Sequence, residues 1–247
     1  MSYFIAAKNG FFDEFYRVMI EDDRFDFIID GLINTFIITI GSLALGIVLG
    51  VIVAAIRASY DKNKESLKRN GGIKNAIMVV LNAISKIYLT VIRGTPVVVQ
   101  LMIFYFVIFA FSDDGVAVAI FAFGINSGAY VAEIFRGGIM SIDNGQFEAG
   151  RSLGFNYIQT MIYIITPQMF KTVLPTLCNE FIVLLKETSV AGYVGVIDLT
   201  KAGNVIAGRT FSYFIPLISV AVIYLLVVMV LTSLVGKLER RLRKSDH

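Results

Sequence analysis

The sequence predicts an all-α integral membrane protein. Of its 247 residues, 56% are hydrophobic, and the mean hydropathy of +0.74 lies well above that of a soluble globular domain. Four runs without a charged residue approach or exceed the roughly 20 residues that a helix needs to cross the hydrocarbon of a bilayer: 31–56, 94–112, 115–132 and 210–236. The backbone must satisfy its own polar groups inside lipid, and the alternating pattern of a transmembrane barrel is absent. These runs are therefore expected to be helices.

About five membrane spans follow from these runs and their flanks. The first is expected at about 30–56. The second begins near Ile73 and ends near Phe111, with the sequence RGTP at 93–96 in its middle. Pro96 lacks a backbone donor and Gly94 loosens the helix, so a kink or an unwound turn is expected there. The remaining three spans are expected at about 115–140, 170–190 and 211–238.

Charge asymmetry predicts how the chain is oriented. The loop 57–74 holds six bases against two acids, net +4, and the tail 237–247 holds five bases against two acids, net +3. Basic flanks remain in the cytoplasm, so the C-terminus is expected inside. Residues 1–30 carry seven acids against three bases, net −4, and are expected outside. Bases that flank membrane spans, without a base-stacking platform, do not indicate a nucleic-acid partner.

Three regions follow from this pattern. Residues 1–29 form an acidic extracytoplasmic segment, 30–238 a transmembrane domain, and 239–247 a basic cytoplasmic tail. The N-terminal segment has no basic n-region and does not resemble a cleavable signal peptide. Its interleaved aromatic residues favour an amphipathic segment on the membrane surface, and a partly ordered acidic leader is an equally good interpretation.

The segment 148–167 is too polar for lipid although it lies between apolar spans. It reads EAGRSLG, and Ile-Ile-Thr-Pro follows nine residues later. This pattern resembles the "EAA" cytoplasmic loop of bacterial ABC importer permeases, and five positions match at the required spacing: Glu148, Ala149, Gly154, Ile164 and Pro167. Gly150 and Thr166 depart from that pattern. The resemblance implies a type I ABC importer transmembrane domain in which Glu148, Ala149, Gly150 and Gly154 belong to a cytoplasmic coupling helix.

Four further stretches are similar to permeases of the polar amino acid uptake branch, the histidine/glutamine/arginine type. They are 93–101 (RGTPVVVQL), 126–139 (NSGAYVAEIFRGGI), 145–148 (GQFE) and 179–189 (NEFIVLLKETS). The resemblance implies a bacterial cell membrane protein that imports an amino acid. It implies four kinds of partner besides membrane lipid: a cytoplasmic ABC ATPase dimer that binds ATP and Mg²⁺, a second permease subunit, an extracellular solute-binding protein and the amino acid itself.

Charged residues inside the predicted spans are candidates for function, because such groups are costly unless they are paired or face water. Glu133 and Arg136 are three residues apart and are expected to pair as a structural or gate-lining pair. Glu180 and Lys186 are separated by ~9 Å of rise and roughly 240° of rotation, so a direct bond within one helix is not expected. An amino acid zwitterion would answer both charges, which predicts a substrate pocket. Pairing of each charge with another helix or subunit is the alternative.

Other polar residues are candidates for completing that pocket. Gln100 and Asn126 offer amide groups, and Thr188 and Ser189 follow Lys186. Each alone is more often a helix–helix hydrogen-bonding residue than a ligand contact. Together with Glu180 they predict a site that favours a substrate with a cationic group.

The sequence offers no catalytic or metal site. It has no G-x-x-x-x-G-K-[ST] phosphate loop, so ATP hydrolysis is expected on a separate subunit. Its single histidine, His247, and single cysteine, Cys178, cannot form a metal-binding constellation or a catalytic triad. Three alternatives to an amino acid importer remain: a permease of the same architecture for another small polar solute, an ion-gradient transporter with Glu133 or Glu180 as its protonation site, and a non-transporting membrane scaffold.

Overall fold

The structure, a computed structural model, describes residues 10–69 and 72–243, and no strand occurs in those ranges. Ten α-helices follow one another: α1 Phe11–Phe15, α2 Arg24–Arg69, α3 Ile73–Gly94, α4 Val97–Ile103, α5 Gly115–Met140, α6 Asn144–Ser152, α7 Tyr157–Thr160, α8 Thr166–Glu187, α9 Leu199–Thr210 and α10 Phe214–Arg243. Wider or tighter helical turns join or extend them at Tyr16–Ile20, Glu21–Asp23, Phe104–Ile108, Met161–Ile165 and Thr188–Val194.

The helices confirm the predicted all-α membrane fold. Four of them, α2, α3, α5 and α10, are long and apolar enough to cross a membrane. The fourth predicted span corresponds to α8, which has 22 residues but carries Lys171, Glu180, Lys186 and Glu187. The bounds of α5 coincide with the predicted span 115–140. The first span is longer than predicted, since α2 continues without a break to Arg69.

The expected break near Pro96 is present. Helix α3 ends at Gly94, Thr95 is extended with φ −121° and ψ 146°, and α4 begins after Pro96. The proline ring disfavours the helical conformation in the residue before it, which accounts for the extended Thr95. Because α4 continues into the turn Phe104–Ile108, the second predicted span consists of two helical pieces.

Small residues allow α2 and α5 to pack closely. A Cβ atom at Gly50 of α2 would lie 2.5 Å from Val131 Cγ1, and one at Gly124 of α5 would lie 2.6 Å from Leu45 Cδ2. Close approach of small residues is a common way for helices to associate where lipid removes the hydrophobic driving force. As a result α5 is the most enclosed of the membrane-competent helices, with α2 and α3 against it and α8 also in contact.

Two parts of the chain pack together in a way that the sequence did not predict. Helix α9 lies in a stretch where no element was expected, between the fourth and fifth predicted spans. Val18 and Met19 of the acidic N-terminal segment are almost completely buried against a cluster that includes Leu199 and Ile206 of α9. That part of the segment is therefore anchored by α9 and α10. Residues 1–9, and 244–247 of the predicted tail, lie outside the described residues, whereas 239–243 continue α10.

Candidate functional site

A groove of about 420 Å³ runs between α5 and α8. Its lining mixes polar and apolar side chains: Tyr130, Glu133, Ile134, Thr176, Asn179, Glu180 and Val183. Two of these residues, Glu133 and Glu180, carry carboxylates, and none carries a positive charge. The groove therefore presents two carboxylate groups between α5 and α8.

Glu180 is half-buried and is held by a neutral partner. Its Oε1 accepts a hydrogen bond of 3.0 Å from the hydroxyl of Ser127, a fully buried residue on α5. Among the described residues no lysine or arginine lies within ion-pair distance of this carboxylate. A carboxylate in a membrane-spanning region without a cationic partner is costly. A positively charged ligand in the groove would therefore be stabilised most by Glu180.

Glu133 belongs to a chain of charges that links three helices. Its Oε2 accepts bonds from Arg136 Nε at 3.1 Å and from the second guanidinium nitrogen at 2.9 Å, so the expected pair forms. Arg93 at the end of α3 lies 3.8 Å from Glu133 Oε1, and Arg136 lies 3.8 Å from Asp61 of α2. The negative charge of Glu133 is therefore compensated, unlike that of Glu180.

Lys186 does not share the groove with Glu180. It is exposed and is absent from the groove lining, as the rotation of roughly 240° along a regular helix requires. Thr188 is fully buried and its hydroxyl donates to the carbonyl of Leu185 at 2.8 Å, while Ser189 is half-buried. None of these three predicted pocket residues lines the groove that contains Glu180.

Gln100 and Asn126 stabilise the break between α3 and α4. Gln100 Nε2 donates to the carbonyl of Ile92 at 2.7 Å, and to the hydroxyl and carbonyl of Thr95 at 2.7 and 3.1 Å. Gln100 Oε1 accepts from Asn126 Nδ2 at 3.0 Å. Both residues are buried, and these bonds satisfy backbone carbonyls that the interrupted helix leaves without partners. The geometry favours a positioning role for this pair over direct contact with a solute in the groove.

The predicted short helix of the EAA-like segment is present as α6. Asp143 caps its start by accepting from the backbone amide of Gly145 at 2.6 Å. Phe147 and Gly150 face the rest of the protein, whereas Glu148 and Ala149 are exposed. The exposed positions are therefore available to a partner.

Gly150 in α6 and Gly154 just after it each have a structural reason. A Cβ atom at Gly150 would lie 2.6 Å from Thr160 Cγ2 and Oγ1, so the second Ala of the EAA pattern does not fit here. Gly154 has φ +77° and follows the helix end, where the amide of Phe155 bonds back to the carbonyl of Gly150 at 3.0 Å. Such a left-handed residue after a helix is commonly glycine.

Sequence reasoning missed Tyr130, Thr176 and Asn179 as groove residues. Tyr130 precedes Glu133 by three residues, and Thr176 precedes Glu180 by four. This helical spacing puts each of them on the same helix face as one of the two predicted acidic residues, which was the available signal. Arg93 was noted only as part of the break, although it reaches Glu133 from another helix. Its role depends on tertiary packing that spacing along one helix does not reveal.

A protein family described as "Binding-protein-dependent transport system inner membrane component" matches residues 71–244. The chain belongs to this family and is thus a membrane component of a multi-part transport system. Two relatives support the assignment across most of the chain. The arginine transport system permease protein ArtQ of Bacillus subtilis (strain 168) is 34% identical and covers 89% of this chain and 94% of its own length. The glutamine transport system permease protein GlnP of Escherichia coli (strain K12) is 36% identical and covers 87% and 93%.

Solved structures share the fold. A chain from the crystal structure of an amino acid ABC transporter with histidines aligns with a TM-score of 0.75 at 36% identity, covering 87% of this chain and 94% of the other. A chain from an inward-facing conformation of the MetNI methionine ABC transporter aligns with a TM-score of 0.72 over 90% and 99%. The second match is only 17% identical and shows the fold alone.

Proposed function

We propose that this chain is the membrane permease subunit of an ATP-driven importer and that it moves a cationic amino acid into the cytoplasm. The observation that carries the proposal is the half-buried carboxylate of Glu180, which lines a solute-sized groove and, among the residues that the structure describes, has only the hydroxyl of Ser127 as a hydrogen-bond partner. A guanidinium or ammonium group in the groove would supply the missing positive charge.

The names of the relatives agree with an amino acid as the solute. One is named for arginine and one for glutamine, and a structural relative was crystallised with histidines. Arginine and protonated histidine are cationic, whereas glutamine is neutral. The uncompensated Glu180 favours the cationic solutes among them, with another small polar solute as the alternative.

The exposed face of α6 is the proposed docking site for a cytoplasmic ATPase dimer. Glu148 and Ala149 are exposed on α6, and Leu153 and Ile158 next to it are 70% and 66% exposed. Exposed apolar side chains beside a polar helix are typical of a protein interface. ATP and Mg²⁺ would bind to that ATPase and not to this chain.

The remaining parts follow from the same proposal. A second permease subunit, identical or related, completes the pathway, and an extracellular binding protein delivers the solute. The basic loop 57–74 and tail 237–247 favour an orientation with α6 and the C-terminus inside and the N-terminus outside. Nucleotide and loaded binding protein shift the pathway outward only because they bind the outward-facing state more tightly than the inward-facing state.

The same carboxylate would suit an ion-gradient transporter, in which Glu180 takes up a proton. The experiment that separates the two is uptake by proteoliposomes that contain the permease, its ATPase and its binding protein. The proposal predicts that labelled L-arginine accumulates only with ATP on the side of α6, that orthovanadate stops it, and that an uncoupler has no effect. Uptake that collapses with the uncoupler and ignores orthovanadate would support the proton-coupled alternative instead.

A further inference from the structure

A second cavity shares Glu133 with the α5–α8 groove. It measures about 370 Å³ and lies between α2, α3 and α5. Its lining is dominated by charge: Arg57, Lys86, Leu89, Thr90, Arg93, Gly94 and Glu133. Three cations and a single acid therefore face one small space within membrane-competent helices.

The described residues do not balance the positive charge of this cavity. Glu133 already accepts two bonds from Arg136, and its contact with Arg93 is long at 3.8 Å. Arg57 and Lys86 have no ion pair or hydrogen bond with any described residue, and Arg57 Nε is closed off from solvent without a partner. Lys86 and Arg93 are exposed, so the cost of burying a polar group without a partner applies to Arg57 Nε alone. The excess of positive charge in this cavity favours an anion.

Glu133 lines both cavities, so they share a wall. The groove offers carboxylates but no cation, whereas every free amino acid carries its own carboxylate. We infer that Arg57, Lys86 and Arg93 form a subsite for the carboxylate of the transported amino acid while Glu180 holds its cationic group. This inference rests on the proposed function. In this arrangement Arg57, Lys86 and Arg93 bind the carboxylate that the sequence analysis assigned to Lys186.

A lipid phosphate is also an oxyanion and would suit the same three cations. The test therefore uses the assembled transporter without its binding protein, in nanodiscs of phosphatidylcholine and, separately, of phosphatidylglycerol. Binding of L-arginine is compared with binding of agmatine, which keeps the guanidinium but lacks the carboxylate. The variants are Lys86→Gln, Glu180→Gln and, as a matched control, Lys237→Gln. Lys86 and Lys237 are both exposed lysines, and Lys237 lies outside both cavities.

The inference predicts that the wild type prefers L-arginine to agmatine by about tenfold or more, as expected for a charge-assisted bond. Lys86→Gln should reduce this preference several-fold with agmatine affinity unchanged, Lys237→Gln should retain it, and Glu180→Gln should weaken both ligands. An unchanged preference in Lys86→Gln would overturn the subsite and leave the proposed function intact. Loss of the preference in phosphatidylglycerol would assign the cations to lipid phosphate. Failure of the wild type to bind either ligand would contradict the proposed function itself.

Discussion

The ammonium group of Lys62, near the end of α2, lies over the ring of Phe147 in α6. Phe147 is only 6% exposed, so its ring is held in place beside this ammonium group. Helix α2 in turn packs tightly on α5, which carries Glu133 and Ser127. The contact therefore connects the proposed ATPase docking helix with the helix that forms one wall of the groove.

Removing this cation should weaken coupling between nucleotide hydrolysis and uptake. We expect Lys62→Gln to lower the amount of amino acid imported per ATP hydrolysed by a few-fold, because a cation–π contact is worth about 0.5–2 kcal/mol. Lys62→Arg keeps a cation and should retain coupling. Exposed Lys64, two residues away, provides the matched control Lys64→Gln. Equal uptake per ATP in Lys62→Gln and Lys64→Gln would rule out this role.

The fit between Gly150 and Thr160 is testable by a double substitution. Gly150→Ala places a methyl group 2.6 Å from two atoms of the threonine side chain, and such overpacking costs about 1–3 kcal/mol. Thr160→Ala removes both atoms. The double variant should therefore lose less stability than the sum of the losses in the two single variants. Thermal unfolding of the four purified proteins measures this coupling. Additive effects of the two substitutions would show that the side chains do not oppose each other.

The Gln100–Asn126 pair should stabilise the break after α3. Gln100→Leu leaves the Asn126 amide and two groups of Thr95 without their partner, at a cost of about 1–3 kcal/mol for an unsatisfied group. Asn126→Ala should therefore destabilise the wild type more than it destabilises Gln100→Leu. Asn204→Ala, at an exposed position of α9, is the control and should have little effect. Equal destabilisation by Asn126→Ala in both backgrounds would contradict this role for the pair.

Asp198 caps α9 from a buried position. Its carboxylate accepts from the amides of Thr200 at 2.9 Å and Lys201 at 3.1 Å. Asp198→Ala should lower stability by about 1 kcal/mol through loss of the cap, whereas Asp198→Asn keeps an acceptor. A lower melting temperature for Asp198→Asn than for Asp198→Ala would be inconsistent with a capping role.

The same residue gives a pH prediction. Burial raises the pKa of the Asp198 carboxyl above its usual value of 3.8, although bonds from the backbone amides of Thr200 and Lys201 oppose the shift. A raised folded-state pKa means that this group's contribution to stability is complete below 3.8 and is lost as pH rises through the folded value. Asn does not titrate, so the stability of Asp198→Asn relative to the wild type should increase as pH rises from about 4 to 7. The melting temperatures of both proteins across that range test it, and a constant difference would contradict the assigned pKa shift.

The lengths of the uncharged runs and the positions of helix-breaking residues predicted much of the fold. Helix α5 has the predicted bounds, and the chain breaks at Thr95 and Pro96 as expected. Helix α9 was missed because Lys201 and Arg209 interrupt its apolar pattern. The Asp198 cap, and the turn at Gly195 with φ +84°, were the available signals.

The groove was predicted only in part. Periodicity predicted no direct bond between Glu180 and Lys186, and none forms, although both were expected in one pocket. It could not show that Glu180 would share a groove with Tyr130 and Glu133 of another helix. Met19 is buried because the N-terminal segment packs against α9. The pattern of residues within either segment alone does not show that the two segments meet.

The most direct test of the central claim is whether Glu180 selects the cationic solute. Initial rates of ATP-driven uptake are measured for L-arginine and L-glutamine in Glu180→Gln, in wild type and in Glu187→Gln, a nearby acid outside the groove. One binding protein delivers both solutes, so its own preference cancels between variants. The account predicts that the arginine-to-glutamine ratio falls by about tenfold in Glu180→Gln alone, the worth of one charge-assisted contact. An unchanged ratio in a properly assembled Glu180→Gln transporter would contradict it.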